Sequence, residues 1–429
     1  MKVPGPIDPS MTAGPAQRPA AVEFQEVDIL FARQSGRHGR RAIRDALAAL
    51  DAGDTRAEIQ AKFGVIVGVA GASLRVARGE ISVLMGLSGS GKSTLLRAAN
   101  GLNPVTRGHV LVHGGESDAG RAGDSGAAQA VIDVAACDKS QLRHVRRERV
   151  AMVFQQFGLL PWRTVRENVG FGLELRGEHA AARRKVVDEK LELVGLSQWA
   201  ERHVGELSGG MQQRVGLARA FATDADILLM DEPFSALDPL IRGKLQDELL
   251  ALQERVKKTI LFVSHDLDEA LRLGDRISIL QNGRIIQTGT AEDIVLAPAD
   301  DYVAEFVRHM NPLDVLTGAM IMCGRENLSQ DDRSLWLDPR HRYRLILGPA
   351  DEPLRLYLDG VAQALQRVGE SVPDRLEPGL VVAPPSLSLQ TIIQLRQASG
   401  HPVVLAHGLR VVGVCGETEI IRALAGSRQ

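Results

Sequence analysis

A glycine-rich segment, Gly86 to Thr94, constrains this 429-residue chain more than any other feature. It reads Gly-Leu-Ser-Gly-Ser-Gly-Lys-Ser-Thr and matches G-x-x-x-x-G-K-[ST], a pattern in which a tight turn joins a strand to a helix. The apolar run Ile81 to Met85 precedes it, and a helix is predicted to begin near Lys92. Backbone N–H groups of such a turn, together with the helix N-terminus, attract phosphate oxygens. The segment therefore predicts a phosphate-binding loop.

The residues of this loop have different predicted roles. Lys92 supplies a positive charge for the β- and γ-phosphates, and Ser93 offers its hydroxyl to Mg²⁺. The other predicted nucleotide contacts are Gly86, Ser88, Gly89, Ser90, Gly91 and Thr94. The alternative is a glycine-rich turn with a chance lysine, but the flanking strand and helix favour the nucleotide site.

Two carboxylates end a later apolar strand, which runs from Ile227 to Met230. Asp231 and Glu232 follow it, and a buried strand has no structural use for adjacent acids unless they meet a charged group. We expect Asp231 to hold Mg²⁺ and Glu232 to orient and deprotonate an attacking water. An acidic strand end that faces solvent is the alternative.

Helices and short apolar strands alternate to about residue 286, which indicates a mostly parallel α/β core.

The composition excludes several classes of protein. The formal net charge is −2, so no global basic field recruits nucleic acid. The cysteines, at 137, 323 and 415, lie far apart, which argues against a disulfide framework and favours a reducing compartment. No stretch approaches the roughly 20 apolar residues that span a bilayer. A membrane role is therefore expected only through a partner.

The segment Leu207 to Arg214 resembles the signature motif of ABC ATPases. It lies about twenty residues before the Asp231 strand, as in that family, although Met211 stands where many members have glutamine. The resemblance implies that Ser208, Gly209 and Gly210 open a helix and meet the γ-phosphate held by a second copy of the chain. Two ATP molecules would then lie between the copies of a head-to-tail dimer.

Three further motifs follow in family order. Phe154 to Phe157 resembles the Q-loop, and the resemblance makes Gln155 a contact to Mg²⁺ and water. Ser235 to Asp238 resembles the D-loop, which places Asp238 among the nucleotide contacts. His265, in Ser-His-Asp after an apolar strand, resembles the switch histidine that hydrogen-bonds the γ-phosphate. The implied catalytic residues are thus Glu232, His265 and Gln155.

Phe63 has two interpretations. It lies 23 residues before Gly86, where the family stacks an aromatic ring on adenine. Packing in an ordinary core is the alternative.

The segment Phe157 to Asn168 also has two interpretations. In the family this region receives the coupling helix of the membrane subunit, and Leu159, Leu160 and Trp162 would be costly to expose on a monomer. Alternatively, these side chains pack internally against a helical subdomain at about residues 157–205.

A narrower resemblance rests on Met85 to Thr94, Met152 to Asn168, Leu207 to Pro239, the helical lead-in Arg41 to Phe63 and the tail Phe306 to Pro312. These runs look like the ATPases of importers for quaternary ammonium solutes such as choline, glycine betaine and proline betaine. The resemblance implies a peripheral ATPase on the cytoplasmic face of the membrane, with ATP and Mg²⁺ as cofactors. Its partners would be an integral membrane permease, a second copy of itself and, indirectly, a solute-binding protein. An importer of a sulfonate or an amino acid, or a soluble ABC ATPase outside transport, remains the alternative.

The predicted fold class is α/β, a P-loop NTPase of the ABC type with a helical subdomain and an antiparallel β subdomain. Residues 1–22 are expected to form a disordered tail, residues 23–315 the ATPase domain, and residues 325–429 a small C-terminal α/β domain. Val22 to Phe31 alternates like an edge strand with one slip in phase. His401 to Leu424 resembles half of a CBS module, and the C-terminal domain is interpreted as either regulatory or purely structural.

Overall fold

The computed structural model describes residues 18–114, 131–155, 157–235, 237, 239–308, 313, 316–331, 333–349, 351–369 and 379–426. The chain forms two compact units, residues 1–291 and 292–429. The predicted end of the ATPase domain at residue 315 lies within the second unit, which begins at Glu292. The predicted tail also ends too late: a strand begins at Ala20, and Ala20 to Val22 are buried. Residues 1–17 and Asp238 lie outside the described residues.

The first unit contains two sheets. The strands of the antiparallel sheet are β1 (Ala20–Ala32), β2 (Val65–Ala77), β4 (Arg107–Val112) and β5 (Ile132–Asp133). The strands of the larger sheet are β3 (Ile81–Met85), β6 (Val150–Val153), β7 (Ile227–Asp231), β8 (Thr259–Val263), β9 (Arg276–Gln281) and β10 (Arg284–Gly289). The larger sheet has the order β10-β9-β3-β8-β7-β6, and every neighbouring pair is parallel except β9 and β10. Every residue of β3, β7 and β8 is buried, as is typical of a parallel sheet covered on both faces.

Strand β1 is an inner strand, not the predicted edge strand. The antiparallel sheet has the order β2-β1-β4-β5, so β1 pairs on both sides. The predicted slip in phase is a bulge: Phe24 pairs with Leu74 and Val27 with Ala72, and Glu26 between them has φ 46°. Side chains along a strand alternate between the two faces, so one extra residue shifts the alternation by one position. The apolar side chains on both sides of the bulge therefore point inward.

Nine helices are described in the first unit, the last of them ending at residue 273. They are α1 (Gly36–Asp51), α2 (Arg56–Phe63), α3 (Lys92–Ala98), α4 (Lys139–His144), α5 (Val165–Arg176), α6 (Ala180–Leu193), α7 (Gly209–Ala222), α8 (Pro239–Val256) and α9 (Leu267–Leu273). The first unit also contains a short π-helix at Val145–Arg149 and 3₁₀ turns at Ser197–Trp199 and Val204–Glu206. Leu95 and Leu96 of α3 lie fully buried in a core that contains side chains from both sheets. The fold thereby anchors the helix that follows the glycine-rich loop.

Helices α5, α6 and α7 form a second core, which includes Val169, Leu191 and Val215. This helical region continues past the predicted limit of about residue 205, because α7 packs into the same core. Leu159 packs against it, as the internal-packing interpretation predicts, whereas Trp162 is 70% exposed. Within the segment after Gln155, Leu159 is thus partly buried and Trp162 is exposed.

Asn168 holds the turn before α5. It is fully buried, its Nδ2 donates to the carbonyls of Leu160, Arg163 and Thr164, and its Oδ1 accepts from the backbone N–H of Leu160 at 2.8 Å. We expect Asn168→Ala to lower the free energy of unfolding by about 2 kcal/mol, because buried backbone groups lose their partners. Urea denaturation followed by circular dichroism measures this. The exposed Glu189→Ala is the control, and an equal effect of both variants would contradict the assignment.

The second unit contains two five-stranded sheets. Its helices are α10 (Ala291–Leu296), which begins at the division, α11 (Asp301–Arg308), α12 (Gly318–Ile321), α13 (Leu389–Ser399) and α14 (Glu417–Gly426), with a 3₁₀ turn at Arg325–Asn327. One sheet consists of β12 (Gln330–Asp331), β13 (Ser334–Trp336), β14 (Tyr343–Leu347), β15 (Pro353–Leu358) and β16 (Val361–Gln363), in that order. The other has the order β11-β20-β19-β18-β17, with β11 (Cys323–Gly324), β17 (Leu365–Arg367), β18 (Leu380–Ala383), β19 (Val403–His407) and β20 (Arg410–Cys415).

Across the described part of the chain, no helix is both long enough and apolar enough to cross a membrane.

Candidate active site

The glycine-rich loop connects β3 to α3, as the sequence predicts. Gly86 has φ +144°, and a Cβ there would lie 2.2 Å from the carbonyl oxygen of Leu280. Gly91 has φ +107°, and a Cβ there would lie 2.5 Å from the carbonyl oxygen of Gly68. Neither position can hold a side chain, so both glycines are required by the path of the loop.

Lys92 is the first residue of α3, and its side chain is buried within the loop. Its Nζ donates to the carbonyl oxygens of Gly86 at 2.7 Å and Leu87 at 3.1 Å. Burial lowers the pKa of the Lys92 amine, and the charges of Glu232 and Asp231 oppose that shift. The ammonium group is therefore held at the base of the loop, next to two acids.

Asp231 is fully buried at the end of β7, and both of its carboxylate oxygens are hydrogen-bonded. The Ser93 hydroxyl donates to Oδ1 at 2.6 Å. Arg97 donates to Oδ2 from Nε at 3.1 Å and from Nη2 at 2.8 Å. The sequence analysis missed Arg97, although its position four residues after Ser93 on α3 places both side chains on one helix face.

A magnesium ion fits this donor set. The Ser93 hydroxyl and the Asp231 carboxylate lie side by side. Gln155, whose amide nitrogen contacts Glu232, is the third predicted ligand. Hydroxyl, carboxylate and amide oxygens are the hard ligands that Mg²⁺ prefers. The chemistry of the residues is therefore compatible with the ion that the sequence predicts.

Two predicted catalytic side chains, Gln155 and His265, lie close to one carboxylate oxygen of the third, Glu232. Gln155 Nε2 donates to Oε2 of Glu232 at 3.0 Å, and Nδ1 of His265 lies 3.3 Å from the same oxygen. Glu232 follows β7, and its backbone N–H donates to the carbonyl of Val263 in β8 at 3.1 Å. Its φ of 47° is unusual for a residue with a side chain and is typical of strained functional sites. The two parallel strands thus bring residues 232 and 265 together.

A buried polar network fixes the segment that carries His265. The hydroxyl of Ser264 donates to Glu269 and accepts from the backbone N–H of Asp266 at 3.0 Å. The other carboxylate oxygen of Glu269 accepts from Gln246 Nε2 at 3.0 Å. Burial raises the pKa of Glu269, against the effect of these hydrogen bonds. No local pattern in the sequence indicates this network, because its members come from two helices and a strand end.

Ser208 caps the N-terminus of α7. Its hydroxyl accepts from the backbone N–H of Met211 at 3.4 Å, and Gly209 and Gly210 are the first residues of the helix. A Cβ added at Gly209 would meet no atom within 4 Å, so this helix end is open. The contact of these residues with a second copy stays a prediction.

Phe63 ends α2 and is partly buried against a cluster that contains Leu50, Ile59 and Val67. This is the arrangement that the core-packing interpretation predicts. Stacking of Phe63 on adenine stays a prediction. The predicted contact at Asp238 lies outside the described residues.

Comparison with known proteins agrees with this arrangement. Residues 69–235 match the family described as ABC transporter. The chain is 49% identical to the glycine betaine/proline betaine transport system ATP-binding protein ProV of Escherichia coli, over 64% of this chain and 63% of that protein. It is 39% identical to the glycine betaine transport ATP-binding protein OpuAA of Bacillus subtilis, over 96% and 94%. It is 43% identical to the glycine betaine/carnitine transport ATP-binding protein GbuA of Listeria monocytogenes, over 70% of each. The chain therefore belongs to the family of ABC transporter ATP-binding proteins.

Proposed function

We propose that this protein hydrolyses ATP to drive an ABC importer of glycine betaine and related quaternary ammonium solutes. One observation supports the hydrolysis above all others: Gln155 and His265 both lie within 3.3 Å of Oε2 of Glu232, the acid that follows the buried strand β7. The relatives support the solute, since all three are named as glycine betaine transport proteins.

The proposed reaction gives each of these groups a role, and Gln155 has two. The loop around Lys92 holds the triphosphate by its backbone N–H groups and one ammonium charge. Glu232 accepts the proton of the attacking water, and Gln155 and His265 orient that water and the γ-phosphate. Ser93, Asp231 and Gln155 would hold Mg²⁺, which neutralises charge on the phosphate oxygens when it is bound.

The proposed assembly contains a second copy of the chain and an integral membrane permease, with a solute-binding protein acting indirectly. The open N-terminus of α7 at Ser208 supports a composite site between two copies. The exposed Trp162 supports docking of a membrane subunit at the cytoplasmic face of the membrane. The hairpin of β19 and β20 followed by α14 supports a CBS-like character of residues 325–429.

Uptake of labelled solute tests the transport role. Cells that depend on this protein and its permease should accumulate glycine betaine, and excess choline or proline betaine should compete. Cells that carry Lys92→Ala should accumulate none. Competition by a sulfonate or an ordinary amino acid, with none by betaines, would contradict the proposed solute class.

A further inference from the structure

Arg56 connects the helical pair α1–α2 to the phosphate-binding loop. It is the first residue of α2, and its Nη1 donates to the carbonyl oxygen of Gly89 at 3.1 Å. Gly89 is exposed and lies midway along the loop. The opposite end of α2 is Phe63, the predicted adenine partner. Helix α2 therefore runs from the loop to the residue expected beside the base.

The charge of Arg56 has no acidic partner among the described residues. The guanidinium is half-buried, and burial lowers its pKa with no opposing contribution from an acid. Acids close to it along the chain are engaged elsewhere: Asp54 accepts from Lys62 at 2.6 Å, and Glu58 accepts from Thr55 at 2.8 Å. One more nearby acid, Asp51, accepts from Arg107 at 2.7 and 2.8 Å.

A cation held partly out of water is unfavourable unless an anion meets it. The Gly89 carbonyl satisfies one N–H group, and a guanidinium carries five donors in a fixed fork that matches phosphate geometry. The rim of the phosphate-binding loop is where a bound triphosphate brings negative charge. Arg56 thus has N–H groups available for a phosphate at the rim of the loop. Its partly buried charge is also unfavourable until an anion binds there.

We propose that Arg56 binds the phosphates of the nucleotide held by the loop, which would couple the helical pair α1–α2 to nucleotide occupancy. The proposal rests on the proposed ATP binding. It adds a contact from outside the segment 69–235 that matches the ABC transporter family.

Titration of the full-length protein with ATP, ADP and adenosine tests the contact. Arg56→Gln removes the charge and keeps a shorter N–H donor, and Arg56→Ala removes both. We expect both variants to weaken ATP and ADP by about tenfold, the scale of one charge-assisted hydrogen bond, and to leave adenosine unchanged. Arg41→Ala is the control, because Arg41 is exposed on α1 and pairs with Asp45. It should leave all three affinities unchanged.

The outcomes separate this contact from the proposed function. Wild-type protein that binds no ATP would overturn both. Wild-type ATP binding with unchanged affinities in Arg56→Gln would overturn the contact alone. An equal loss for adenosine and ATP would also overturn it, because Arg56 would then act by holding α2 and Phe63 in place. If Arg56→Ala fails to fold, Arg56→Gln alone decides, since it removes the charge and keeps a polar side chain.

Discussion

Glu232→Gln is expected to lower ATP turnover by about 100-fold or more, the scale of a lost general base, while ATP binding persists. The amide has nearly the same shape as the carboxylate, but it cannot accept the proton of the attacking water. Phosphate release under saturating ATP measures the loss. Because bound ATP is no longer consumed, size-exclusion chromatography with ATP should show a stable dimer of this variant.

Glu192→Gln provides the matched control, because Glu192 is an exposed acid on α6, away from residues 155 and 265. Its turnover should equal that of the wild type. Near-normal turnover in Glu232→Gln would show that another group accepts the proton. A loss of ATP affinity equal to the loss of turnover would show instead that Glu232 serves nucleotide binding.

Lys92→Ala is expected to weaken ATP binding by roughly a hundredfold, since a charge-assisted contact to phosphate disappears from a buried site. The ammonium group has no substitute in the loop, where it contacts the carbonyls of Gly86 and Leu87. Titration with a fluorescent ATP analogue measures the change. Lys62→Ala is the control, because this exposed lysine pairs only with Asp54 among the described residues.

Lys92→Ala is expected to impair ATP binding, whereas Glu232→Gln is expected to impair turnover. Residual ATPase activity at very high ATP is compatible with the assignment, because weak binding can be overcome by concentration. Unchanged ATP affinity with normal circular dichroism would contradict it. In that case the loop would bind phosphate through its backbone alone.

Local pattern predicts the parts of this site that lie close together in the chain. The loop from Gly86 to Thr94 is flanked by β3 and α3 as expected, because its glycines, lysine and neighbouring apolar run occupy one short segment. The strand before Asp231 is equally plain, since four apolar residues in a row, all of them buried, need no distant information. The slip in phase in β1 also corresponds to a real bulge.

Distant pairings account for what the sequence analysis missed. Arg97 and Asp231 are 134 positions apart, and nothing local identifies the acid that this arginine binds. Arg56 lies 33 positions before Gly89, and nothing local indicates that its side chain reaches that carbonyl. The inner position of β1 depends on β4, which arrives some 75 residues later along the chain. Ala20, at the start of β1, pairs with Ala77 of β2, so the start of the strand could not be read from a segment rich in proline and glycine.

The pairing of β7 with β8 has a consequence for how this protein can fail. Glu232 bonds to the carbonyl of Val263, and His265 follows two positions later, so a single ladder of backbone bonds aligns the acid and the histidine. A slip of one residue would turn every side chain of one strand to the opposite face. Molecules with such a slip would therefore no longer bring Glu232 and His265 together. A partly damaged preparation should contain fewer working copies, each with an unaltered turnover rate.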